Sequence, residues 1–174
     1  MHDAQALVAF LSLCVLVTES VVTTLPCTND VYAVGDSMLV GCSNVYHVYI
    51  NSSSSTGAPP PTVYLMGLQT SPSIGLTVEF QAPGTLIVDS LRVSADDYLA
   101  VRTYGLPGVN ITCRNSLFQR GSSFLLGRSP DSSSFLQSSL LVHNTSFEGG
   151  AYVSCNYGNV VASNITLQDC NFTL

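Results

Sequence analysis

The chain has 174 residues, of which 9% are charged; it has no lysine, and five arginines stand against eleven acids for a formal net charge of -6. That length is one domain's worth. The acid excess excludes nucleic acid as a partner, because displacing phosphate counterions requires clustered basic side chains.

Ala6 to Val17 is an apolar run, too short to cross a bilayer and the right length for the centre of an export signal. Small residues follow in Thr18-Glu19-Ser20, so residues 1–20 are expected to be a signal peptide, although Met1-His2-Asp3 supplies no positive leader. No other stretch is expected to span a membrane. Cys14 leaves with the signal, and Cys27, Cys42, Cys113, Cys155 and Cys170 remain. Cys27 and Cys42 flank turn-forming residues and are expected to bridge in an oxidising compartment. Cys155 and Cys170 are the next pair, with Cys113 facing the core. No Cys-x-x-Cys or nearby histidine offers zinc spacing, so neither metal nor cofactor is expected.

Residues 21–50 carry short β-rich pieces, Val31-Tyr32-Ala33-Val34 and Val45-Tyr46-His47-Val48-Tyr49-Ile50, and read as a small disulfide-closed cap. His47, with no partner in view, reads as a packed strand residue. Residues 51–62 hold a serine run and three consecutive prolines, which lack the donors a sheet needs, so they read as a loop. From 63 to 174 the pattern turns to alternation, as in Ile74, Leu76, Val78 and Phe80 opposite Gly75, Thr77 and Glu79.

One phrase then recurs. Asn110-Ile-Thr-Cys-Arg-Asn-Ser-Leu-Phe118 returns as Asn164-Ile-Thr-Leu-Gln-Asp-Cys-Asn-Phe172, with a looser copy over Ser139 to Phe147 and a fainter one over Gly84 to Arg92. Its sixth place holds Asp89, Asn115, Asn144 and Asp169, spaced 26, 29 and 25 residues apart. That period fits coils of a parallel β-helix better than the alternative, a β-sandwich. The four residues are expected to turn inward and stack as a ladder, beside a stack of Phe118, Phe147 and Phe172, with Arg92 breaking the pattern in the first copy. The chain stops inside the fourth copy, which reads as a fragment continuing into a longer membrane-anchored protein.

Five sequons, at Asn51, Asn110, Asn144, Asn164 and Asn171, are glycosylation candidates. Alternation turns Asn110 and Asn164 outward, whereas Asn144 reads first as a ladder residue. Together with Leu141 to Gly150 and Leu167 to Phe172, these features resemble the dispersed gene family surface proteins of trypanosomes over Thr62 to Leu174. The resemblance implies a right-handed, pectin-lyase-like β-helix within a larger surface glycoprotein that acts in adhesion.

The function expected is therefore a non-enzymatic module of a secreted or cell-surface glycoprotein, for adhesion or shielding, with host cell-surface or matrix ligands as partners. The alternative is a carbohydrate-active β-helix enzyme, a polysaccharide lyase or hydrolase. Against it, Asp89 and Asp169, three coils apart, would stand about 14 Å from each other, where paired carboxylates work at roughly 5 to 9.5 Å. Asp96-Asp97, the one adjacent acid pair, reads as a solvated turn. A truncated copy without function is the third reading.

Overall fold

The computed structural model describes residues 21–52, 57–127, 134–155 and 159–174, so the expected signal peptide with Cys14 lies outside the described residues. Among those residues the structure is all β, without a helix. The chain winds in passes. β1 (Thr23–Thr24) and β2 (Asp30–Val34) form the first, β3 (Ser37–Val40) and β4 (His47–Asn51) the second, β5 (Thr62–Met66) and β6 (Leu76–Phe80) the third. The fourth pass adds a short third face, with β7 (Gly84–Asp89), β8 (Arg92–Val93) and β9 (Tyr98–Arg102). β10 (Val109–Arg114), β11 (Leu117–Phe118), β12 (Ser123–Leu126) and β13 (Ser134–Leu136) make the fifth. β14 (Ser139–His143), β15 (Ser146–Phe147), β16 (Tyr152–Cys155) and β17 (Asn159–Val161) make the sixth, followed by β18 (Asn164–Gln168) and β19 (Asn171–Phe172).

Each of the first six passes adds one strand to the first sheet and one to the second, and from the fourth pass on one is added to the third. The first sheet has the order β1-β3-β5-β7-β10-β14-β18, the second β16-β12-β9-β6-β4-β2 and the third β19-β15-β11-β8, while β13 pairs with β17. Neighbours run parallel and in register, as in Ile111 with Leu140 and Leu86, or Phe124 with Leu99 and Val153. This is a parallel β-helix, not a sandwich.

The register lines identical environments above one another. Leu39, Leu65, Val88, Cys113 and Val142 form one buried column inside the first sheet, and Val63, Leu86, Ile111 and Leu140 form the next. From the second sheet, Val31, Val48, Val78, Val101 and Leu126 point back at them. β-branched residues suit these places because their stiff side chains pack well on a pleated surface buried against another. The phenylalanines stack as the repeat implied, Phe118 on Phe147 at 4.8 Å between ring centres and Phe147 on Phe172 at 4.7 Å.

Residues 21–50, expected as a separate cap, are instead the first passes of the same solenoid, since β1 and β3 lead into the first sheet and β2 and β4 into the second. The Cys27–Cys42 disulfide, with Cα atoms 5.5 Å apart, links the first pass to the second at a single corner. Residues 52–61 separate β4 from β5, with 53–56 outside the described residues, while Asn51 and Thr62, expected in the loop, end β4 and begin β5.

Cys113 is buried as expected, but Cys155 and Cys170 are free thiols. Fifteen residues bring Cys27 back above Cys42, but the same count carries the chain from the second sheet at Cys155 to the opposite corner at Cys170. There the Cys170 thiol faces the carbonyls of Val142 and Gln168 at 3.5 and 3.4 Å.

Candidate functional site

The repeated phrase marks the bend from the first sheet to the third. Gly41, Gly67, Ser90, Asn115, Asn144 and Asp169 occupy it on successive passes, each with φ between 45° and 65°. The N–H at each place donates to the carbonyl before the next, as in Ser90 to Arg114, Asn115 to His143 and Asn144 to Gln168. Glycine enters this left-handed region without strain, and asparagine and aspartate tolerate it best among other residues. The backbone therefore selects the residue type.

Asn144 Nδ2 donates to Asn115 Oδ1 at 2.8 Å, and Asn115 Nδ2 donates to Asp89 Oδ1 at 3.0 Å. The ladder thus exists, with two corrections. It faces outward, because Asn115 and Asn144 are exposed. The interior of the bend is closed by hydroxyls instead: Ser116 Oγ donates to the Arg114 carbonyl at 2.8 Å and accepts from the Leu91 N–H at 3.1 Å. The first copy is also displaced by one residue. Arg114 pairs with Asp89 and Phe118 with Val93, so Ser90 holds the bend position and Arg92, pairing with Leu117, belongs outside. Asp89 reaches the ladder from the place before it, taking Arg114 Nε at 2.7 Å and Ser90 Oγ at 2.9 Å besides Asn115. The hydrogen bond from Asn115, helped by Ser90 and Arg114, holds the Asp89 carboxyl below its ordinary 3.8 despite partial burial. At the other end Asp169 has no amide to donate, and its Oδ2 stands 3.3 Å from His143 Nε2.

The sequons fall differently around the coil. Asn110 and Asn164 share one outward column with Ser139 between them, and both are exposed, as is Asn171 on β19. Asn51 ends β4 half-buried.

Sequence reasoning missed a cluster on the outer face of the second sheet. Tyr32, Tyr49 and Glu79 share one register column, and Arg102 pairs with Glu79. The Tyr32 and Tyr49 rings stack at 4.8 Å, His47 lies 5.8 Å from Tyr49, and Arg102 donates to Glu79 Oε1 at 2.6 Å. Burial, then the Glu79 carboxylate, raises the Tyr49 hydroxyl above its ordinary 10.0. Burial opposes the Arg102 charge, but a hydrogen bond to Tyr104 and the Glu79 carboxylate outweigh it. His47 is a packed strand residue, the first of β4, and it packs on the outer face. It sits on this face with Nδ1 3.5 Å from Asp30 Oδ1. The residues are scattered over 75 positions of sequence, so only the register of four passes brings them together; the tyrosines at alternate strand positions were the signal available.

The Asp96-Asp97 pair also departs from expectation. The turn closes with the Asp97 N–H on the Ser94 carbonyl at 3.2 Å, and Asp96, at φ 59°, faces out. Asp97 then enters the strand facing inward, 2% exposed rather than solvated. Its Oδ1 accepts from the Tyr98 N–H at 3.1 Å, while Oδ2 and the Ser122 hydroxyl are enclosed without a protein partner. Among the described residues no three His, Cys, Asp or Glu side chains gather as a metal cluster, and no helix is long and apolar enough to cross a membrane.

Fold and faces together define a parallel β-solenoid with a disulfide-linked first corner. Comparison with protein-family models, curated proteins and solved structures returns no match.

Proposed function

We propose that this chain is a non-enzymatic module of a secreted or cell-surface glycoprotein that presents its outer faces for adhesion or shielding. What carries the reading is the column in which Asn110 and Asn164, two passes apart, stand exposed on the same sheet face. A solenoid held by backbone ladders and buried columns gives such a face a fixed shape, and the tyrosine cluster on the second sheet adds the residue types that recur at contact surfaces. The resemblance to trypanosome dispersed gene family surface proteins, drawn from the repeat phrases and sequons, points the same way, with host cell-surface or matrix ligands as partners.

The test is binding of the glycosylated, secreted chain to host cells and matrix. Adhesion predicts saturable binding that weakens when Tyr32 and Tyr49 are both changed to Ser. Binding no better than that of an unrelated acidic glycoprotein removes the adhesive reading and leaves shielding.

A further inference from the structure

The sequons are chemically equal in sequence but not in the folded chain. N-glycosylation joins C1 of a lipid-linked oligosaccharide to the asparagine Nδ2. The C1–oxygen bond to the pyrophosphate breaks, Nδ2 loses a proton, and the lipid pyrophosphate leaves. The atom that matters at each sequon is therefore Nδ2, together with the room around it.

At Asn144 that atom is in use, since it donates to Asn115 Oδ1 at 2.8 Å. Asn144 also sits between Asn115 and Asp169 on neighbouring passes, which are about 4.8 Å apart. A saccharide there removes one of two amide hydrogens and must fit between side chains one strand spacing apart. Left-handed φ, at 45°, further fixes where the side chain leaves the backbone. Asn110 is different, because it takes part through Oδ1, which accepts from Ser139 Oγ at 2.8 Å. Its Nδ2 is left to the exposed face, and its register neighbours there are Ser139 on one side and Thr85 on the other. Asn164 and Asn171 are exposed on the last strands of their sheets.

We propose that folded, secreted molecules carry N-glycans at Asn110, Asn164 and Asn171 and none at Asn144, whose amide nitrogen belongs to the ladder. Transfer precedes folding, so the selection acts on the product: a sugar at Asn144 displaces its ladder bond and crowds the side chains on the neighbouring passes, and chains that carry it are depleted among secreted molecules. The two glycans at Asn110 and Asn164 then emerge about 10 Å apart, twice the strand spacing, as a stripe along the first sheet. This inference rests on the glycoprotein reading above.

The experiment is site-by-site occupancy mapping by peptide mass spectrometry on the full chain secreted from a eukaryotic host, after enzymatic glycan release in heavy-oxygen water. Expected are high occupancy at Asn110, Asn164 and Asn171, and at least tenfold lower occupancy at Asn144. Asn115→Gly, which removes the acceptor while preserving the backbone preference, should raise Asn144 occupancy in the secreted pool. Glycans at Asn144 as abundant as at Asn110 in the folded wild-type chain overturn the inference while leaving the glycoprotein reading intact. Sugar at none of the sequons overturns both.

Discussion

Asn115 gives its side-chain N–H to Asp89 Oδ1 at 3.0 Å while holding φ at 51°, so one residue meets a backbone demand and a side-chain demand together. The two can be separated. Asn115→Gly keeps the left-handed backbone and loses the ladder, at a cost of about 1 kcal/mol. Asn115→Ala loses both, with roughly 1 kcal/mol more from the unfavourable φ. Urea unfolding of the two variants measures the difference; equal midpoints would show that the bend does not constrain the backbone.

The same carboxylate makes stability depend on acid. Because the folded Asp89 binds its proton less readily than the ordinary 3.8, its contribution is complete above about pH 4 and is lost as pH falls through the lowered folded value. Asp89→Asn removes the titration. Unfolding midpoints of the two proteins should therefore differ at pH 6 and converge toward pH 2, whereas a constant gap would mean that the ion pair and ladder do not favour the charged form.

The Cys27–Cys42 bridge spans a sequence separation of 15. For a loop of that size the constraint on the unfolded chain is about 3 kcal/mol. Cys27→Ser with Cys42→Ser should lower the melting temperature by several degrees. Hydrogen exchange should show the loss first in β1 to β4, the strands the bridge joins, with β10 and β14 the last to exchange.

Burial pushes the Cys113 thiol up to about 12. Its thiolate is therefore scarce at neutral pH, and alkylation should wait for unfolding, whereas the exposed Cys155 should react in minutes. Mass-spectrometric counting of labelled thiols over time checks this. Early labelling of Cys113 would place it outside the core column. Conversely, a Cys155 protected in the native chain and released by reductant would restore the Cys155–Cys170 bridge.

The repeat could be read where the bend is filled by asparagine or aspartate, at Asn115, Asn144 and Asp169, since few other side chains accept that φ. It failed where glycine or serine does the same work. Gly41 and Gly67 meet the same backbone demand and leave no side chain to form a phrase; at Gly41 that let residues 21–50 pass for a cap. At Ser90 the neighbouring Asp89 imitated the marker and shifted the register by one. The ladder's direction was invisible for a different reason: alternation fails at a left-handed residue, and Arg114 and Asn115 both face outward. The tyrosine cluster and the buried Asp97 depend on which pass lies above which, and local pattern does not carry that.

All of this rests on successive passes lying in register. Thr112 pairs with Leu141, and Leu141 with Thr166. In a chain carrying Cys155→Ser and Cys170→Ser, the pair Thr112→Cys and Leu141→Cys places two thiols about 4.8 Å apart at the backbone, within disulfide reach. The pair Thr112→Cys and Thr166→Cys spans two passes, about 10 Å, beyond it. Mild oxidation should close the first disulfide at a rate set by the oxidant, without loss of native stability, and leave the second pair reduced. Failure of the first pair with closure of the second would contradict the stacked-pass fold.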